Sequence, residues 1–277
     1  MFWWGKAQIG QRASDRPQIL VEEPRRRDQL LEAVISHQRI AVAYQPQIDP
    51  VSGAVAGVEA LARWDGVDSA DQLFARAARS GLSERLSRLV QRKALRAASS
   101  WEGPLKGLRI SINLLPEDLA RERFDHWLLG EIDACGIDPR RVTVEITESA
   151  LLGDVEAAGR RLSRLREAGV KVALDDFGTG YASLAYLASL PLDILKIDRG
   201  LIAGIATGER VRTVVRAIVR LARELGLTIV VEGVESTVQL ALLAEWGCDF
   251  YQGFLGAGAL DEPELARFVA VSMAKAA

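Results

Sequence analysis

AVAYQPQIDPVSGAVAGVEALARW, residues 41–64, is the stretch that decides how this chain folds. Two apolar, strand-like runs, AVAYQPQI and AVAGVEALARW, are separated only by DPVSG, a turn built from Asp, Pro, Ser and Gly. A parallel strand pair needs a crossover of roughly a dozen residues, whereas an antiparallel pair needs only a hairpin. The first two strands therefore run in opposite directions.

Beyond Trp64 the pattern changes. Apolar runs recur at LRISINL, RVTVEIT, VKVALDD, LDILKID, LTIVVEG and CDFYQG. Most are separated by helical patterns such as DVEAAGRRLSRLREAG and TGERVRTVVRAIVRLARELG. Strands alternating with helices argue for parallel βα units whose sheet is covered on its outer face. About eight strands in 277 residues predict a (β/α)8 TIM-like barrel with one antiparallel strand, an α/β fold. A doubly wound open sheet is the alternative. Residues 1–26, ending near EEPRRR, read as an N-terminal tail or linker, and residues 27–277 as one domain.

Bulk properties exclude several classes. A net charge of −2 lacks the basic footprint of a DNA- or RNA-binding domain. Cys135 and Cys248 are isolated, without a CxxC pair, and read as buried thiols of a reducing, cytoplasmic compartment. No run approaches the ~18 apolar residues needed to span a bilayer, and MFWWGK lacks the apolar core of a signal peptide.

The strand ends carry the chemistry. Reading the last polar residues of successive runs gives Glu59, Asn113, Glu145 and Glu148, Asp175 and Asp176, Lys196 and Asp198, Glu232 and Glu235, and Gln252. In a βα barrel these ends converge on one mouth, where active sites sit. At least six carboxylates would face one pocket with Lys196 and Arg63 nearby. Like charges at that density require cations between them. Oxygen donors suit Mg²⁺ or Mn²⁺, whereas His37 and His126 fall in helical segments away from the strand ends and offer nothing for zinc. Adjacent Asp175 and Asp176 can bridge two cations, as in two-metal phosphoryl-transfer sites. Each residue alone has a plainer reading, as a helix cap, a turn residue or a surface charge. The case rests on their recurrence at one end of the strands.

Taken in order, EALAR from Glu59 to Arg63, SIN, EITE, DDFGTG, KID, EGVE and QG resemble the EAL domain family of bacterial cyclic di-GMP phosphodiesterases, over about residues 38–270. The resemblance implies a βα barrel with one antiparallel strand. It implies Glu59, Asn113, Glu145 and Asp175 as ligands of a first metal, and Asp175, Asp176 and Glu232 as ligands of a second. Glu232 becomes the candidate general base and Lys196 positions the attacking water, while Glu148 braces the loop after DDFG. Arg63 contacts substrate phosphate, and Gln45, Leu61, Asp198, Glu235 and Gln252 line the nucleotide pocket. The implied reaction is hydrolysis of cyclic di-GMP to linear pGpG, in a homodimer joined by helices near the DDFG loop.

Three departures from the family pattern concern the rim. The stretch after Arg63-Trp64 is short, Ala78 replaces an acidic residue, and the segment after Gln252-Gly253 reads GAGAL at 256–260. None removes a metal ligand. A catalytically silent cyclic di-GMP receptor signalling through a protein partner is the alternative function. A protein kinase is excluded, since DFG comes without a Gly-rich loop, a VAIK-like strand or an HRD loop.

Overall fold

The computed structural model describes residues 28–147, 150, 154–178 and 184–276. Eight strands close into a barrel in sequence order: β1 Ala41–Ile48, β2 Val55–Arg63, β3 Arg109–Leu114, β4 Val142–Thr147, β5 Lys171–Phe177, β6 Ile194–Ile197, β7 Thr228–Val231 and β8 Phe250–Tyr251. β1 is antiparallel to both neighbours, β2 and β8, and every other pairing is parallel. The expected barrel with one reversed strand is therefore what the chain forms, and the DPVSG hairpin is its cause.

The helices wrap the outside. They are α1 Gln29–Ser36, α2 Ala70–Arg79, α3 Ser83–Ser100, α4 Pro116–Ala120, α5 Phe124–Cys135, α6 Val155–Glu167, α7 Leu184–Ser189, α8 Arg199–Ile202, α9 Glu209–Glu224, α10 Thr237–Trp246 and α11 Glu262–Ala276. Their ends obey local chemistry: Ser236 and Gln239 form a reciprocal capping box at the start of α10, and Gly247 in the left-handed region closes it.

Strand alternation sorts the side chains. Ile110, Ile112, Val144, Ile146, Val172, Leu174, Leu195, Ile197, Ile229 and Val231 join a core with Leu95, Leu128, Leu162, Val215 and Leu243 of the helices. The intervening positions belong to the barrel interior, as the two-residue period requires. At its closed end the interior is apolar, with Ala173, Ile194, Val230 and Phe250 packed together and the Arg109 guanidinium 4.8 Å from the Phe250 ring centre. Toward the mouth it becomes polar.

One seam is closed indirectly. β1 and β8 share a single pair, Ile48 with Tyr251. The segment after β8 completes the gap: Tyr44 N–H donates to the Leu260 carbonyl at 2.7 Å, and Leu260 N–H returns a bond to Tyr44 at 2.9 Å. The GAGAL departure thus falls in a stretch that closes the barrel.

Candidate active site

Lys196 lies at the centre of the mouth. Its Nζ forms ion pairs with Glu145 Oε2 at 2.7 Å, Glu232 Oε1 at 2.7 Å, Asp175 Oδ1 at 3.0 Å and Glu59 Oε2 at 3.2 Å, and the side chain is 1% exposed. Strands β2, β4 and β5 and the residue just after β7 contribute those carboxylates, and β6 inserts the ammonium among them. Asn113 Nδ2 donates to Glu59 Oε1 at 2.8 Å, and Asn113 pairs in register with Glu145.

A regular strand would turn Asp175 and Asp176 to opposite faces. The β5–β6 register shifts between Leu174 and Phe177, and Asp176 takes a left-handed backbone with φ of 55°. Aspartate tolerates that region better than most residues. The bulge brings both carboxylates to the mouth, and Asp176 N–H donates to Asp175 Oδ1 at 2.9 Å. Oxygens of Glu59, Glu145 and Asp175 come within 4.8 Å of one another, as do those of Asp175, Asp176 and Glu232. The two groups share Asp175, the residue that the family resemblance implies as the bridge.

The electrostatics are unbalanced. Among the described residues, one ammonium faces five carboxylates, and Glu145 Oε1 is buried with no hydrogen-bond partner. Burial, reinforced by neighbouring acids, pushes Glu145 well above the ordinary carboxylate range and also raises Asp175. Asp176 rises to about 6 and Glu232 to about 7, in both cases through burial first and the Asp175 charge second. Glu59 goes the other way: burial would raise it, but Lys196, Asn113 and Gln252 together hold it below its usual value. Burial would likewise strip the proton from Lys196, yet its four carboxylates hold the ammonium firmly charged. An all-oxygen donor set, excess negative charge and an orphaned buried carboxylate oxygen fit hard divalent cations.

The remaining expected site residues fall into three groups. Gln45, Leu61 and Arg63 share the inward face of the β1–β2 hairpin with Glu59 and are half-buried. Arg63 Nη1 donates to the Ala62 carbonyl at 2.8 Å, and Gln45 Nε2 donates to the Ala257 carbonyl at 3.4 Å. Asp198 caps α8, accepting from Gly200 N–H at 2.7 Å, and Glu235 is exposed in the loop before α10. Gln252 is 2% exposed and donates to Glu59 Oε2 at 3.1 Å. Glu148 lies outside the described residues. The histidines stay away from the acids: His37 ends α1, and His126 on α5 contacts Asp125. Cys248 is buried as expected, whereas Cys135 is only partly so.

Sequence reasoning missed Gln47 and Ser111. Both are buried beneath Glu59, and Gln47 Nε2 reaches Ser111 Oγ at 3.4 Å and Gln252 Oε1 at 3.2 Å. The available signal was two polar residues at inward positions of otherwise apolar strands.

Fold and site together define a TIM-like barrel with an acidic mouth whose donor set fits divalent cations. The chain belongs to the EAL domain family, whose model matches residues 27–259. It is 34% identical over 230 residues to the Pseudomonas aeruginosa cyclic di-GMP phosphodiesterase PA2567, covering 82% of this chain and 39% of that protein. Among solved structures, the PaMucR phosphodiesterase in complex with c-di-GMP is similar with a TM-score of 0.78 and 34% identity, covering 85% of this chain and 97% of that one. Klebsiella pneumoniae BlrP1, in its complex with manganese and cyclic di-GMP, has a TM-score of 0.73 and 31% identity, covering 80% of this chain and 56% of that one. The chain spans roughly a third of the length of the curated relatives it matches, at 31%, 27% and 39% for three of them. Among the described residues, no helix is long and apolar enough to cross a membrane.

Proposed function

We propose that this EAL domain, read as residues 27–277, hydrolyses cyclic di-GMP to linear pGpG with two divalent cations, Mg²⁺ or Mn²⁺. The observation that carries this reading is the mouth itself, where five carboxylates converge, four of them on one ammonium, and Glu145 Oε1 has no hydrogen-bond partner among the described residues. Relatives named as cyclic di-GMP phosphodiesterases support it.

Glu59, Asn113, Glu145 and Asp175 would hold one cation, and Asp175, Asp176 and Glu232 the other. When bound, such cations lower the pKa of water and stabilise charge on attacking and leaving oxygens. Glu232, beside the second cation, would be the general base that accepts the proton of the attacking water. Lys196, 2.7 Å from Glu232 Oε1, orients that carboxylate and the water beside it. Arg63 at the mouth end of β2 offers a cation to the substrate phosphate. Gln45, Leu61, Asp198 and Glu235 would border the nucleotide, and Glu148 would brace the loop after DDFG. Leu184 at the start of α7 is 61% exposed, an apolar surface that supports a homodimer through helices near that loop.

The test is incubation with cyclic di-GMP and Mg²⁺ or Mn²⁺, with products separated by chromatography. pGpG should appear with the unsubstituted protein and disappear in Glu59→Ala and Glu232→Ala. Nucleotide binding without product would instead identify a silent receptor.

A further inference from the structure

We infer that Gln47 is a positioning residue: it fixes the orientation of the Gln252 amide and, through it, the Glu59 carboxylate. The inference rests on the reading above that the mouth carboxylates hold divalent cations.

An ionised carboxylate only accepts hydrogen bonds. Gln252 therefore has to present its NH₂ to Glu59 Oε2, which it does at 3.1 Å. Its Oε1 then points away from the acids, inside a barrel where Gln252 is 2% exposed. A buried carbonyl without a donor is costly, and an amide can relieve that cost by turning over. Turned over, it would aim oxygen at oxygen and push Glu59 out of the cluster. Gln47 removes the incentive, because its Nε2 donates to Gln252 Oε1 at 3.2 Å. Ser111 Oγ, 3.4 Å from the same nitrogen, holds Gln47 in turn.

The backbone has made room for this arrangement. Gly57 is the register partner of Gln47, and a Cβ built on it would lie 3.3 Å from Gln47 Oε1 and 3.1 Å from Arg109 Cβ. Glu59 is thus held at both oxygens, with Asn113 on Oε1 and the Gln47–Gln252 relay on Oε2. Outer groups that orient metal ligands in this way typically change metal affinity 10–100-fold.

The experiment measures Mn²⁺ binding to the full chain by titration calorimetry, with no nucleotide present. Gln47→Met, which keeps length and bulk but loses the amide, should weaken Mn²⁺ binding on the order of tenfold. Gln252→Leu should weaken it at least as much, and the double variant no further than Gln252→Leu alone, because Gln47 acts through Gln252. Should Gln47→Met fail to fold, Ser111→Ala, which removes the hydroxyl that holds Gln47 Nε2, is expected to lower Mn²⁺ affinity in the same direction. Unchanged affinity in the variants, or losses that add in full, would overturn the assignment of Gln47 while leaving the metal site standing. No Mn²⁺ binding by the unsubstituted protein would overturn both.

Discussion

Lys196 Nζ lies 2.7 Å from Glu145 Oε2, and each side chain is 1% exposed. A buried ion pair is weak evidence of net stability, but removing one partner strands the other charge. Here one ammonium serves four carboxylates, so its loss strands several. Lys196→Met should destabilise the metal-free protein by about 3–5 kcal/mol, read by urea denaturation in EDTA. Adding Glu145→Gln should recover part of the loss. A Lys196→Met protein as stable as the parent would mean that the carboxylates are already neutral.

Stability without metal should depend on pH through the same acids. Glu232 is raised from 4.5 to about 7 and Asp176 from 3.8 to about 6, each by burial and then by Asp175. Raised acids bind more protons folded than unfolded, so their contribution is present below pH 4 and lost as pH rises toward 7. The melting temperature in EDTA should therefore fall between pH 5 and pH 8, an interval in which Glu59, lowered below 4.5 and ionised in both states, adds no slope. Saturating Mn²⁺ at pH 8 should restore it by mass action. A melting temperature that climbs over this interval in EDTA would contradict the assigned shifts.

Asp176 separates backbone from ligand roles. Its φ of 55° suits Asp or Asn, not a β-branched residue. Asp176→Asn should keep the melting temperature in EDTA at or above the parent's while reducing Mn²⁺ stoichiometry from two toward one. Asp176→Val should lose the same metal and also about 1–2 kcal/mol of stability. Two full equivalents of Mn²⁺ bound by Asp176→Asn would remove this residue from the ligand set.

These side chains also mark what was legible beforehand. The DPVSG hairpin required a reversed strand because five residues cannot carry a crossover, and β1 and β2 pair accordingly. Glu59, Glu145, Asp175 and Glu232 were legible as acids ending successive strands. The bulge was not: a two-residue period assigns Asp175 and Asp176 to opposite faces, and only the register shift brings them together. Gln252 was legible as the last polar residue of its run, but its bond to Glu59 was not, since that depends on a strand far away in sequence. Gln47 could not be chosen from neighbouring glutamines by composition, because its role depends on partners 64 and 205 positions away.

Gly253 joins the closure of the barrel to the acids. Its φ is 152°, and a Cβ there would lie 2.2 Å from the Val234 carbonyl oxygen and 2.3 Å from its nitrogen. Those atoms are already engaged: Val234 N–H donates to the Gln252 carbonyl at 3.0 Å, and the Val234 carbonyl accepts from Leu255 at 3.0 Å. Gly253→Ala must therefore displace backbone rather than a flexible side chain. Two weakened buried hydrogen bonds at about 1 kcal/mol each and added backbone strain of order 1 kcal/mol predict a loss of about 3 kcal/mol. Because Gln252 is the preceding residue, Mn²⁺ affinity should fall as well. Gly53 in the β1–β2 turn is the control, with φ of 71° and nothing within 4 Å of an added Cβ. Gly53→Ala should cost about 1 kcal/mol of left-handed strain and leave Mn²⁺ binding intact. Equal stability losses in the two variants, or unchanged Mn²⁺ affinity in Gly253→Ala, would show that the packing of Gly253 against Val234 does not hold the acids in register.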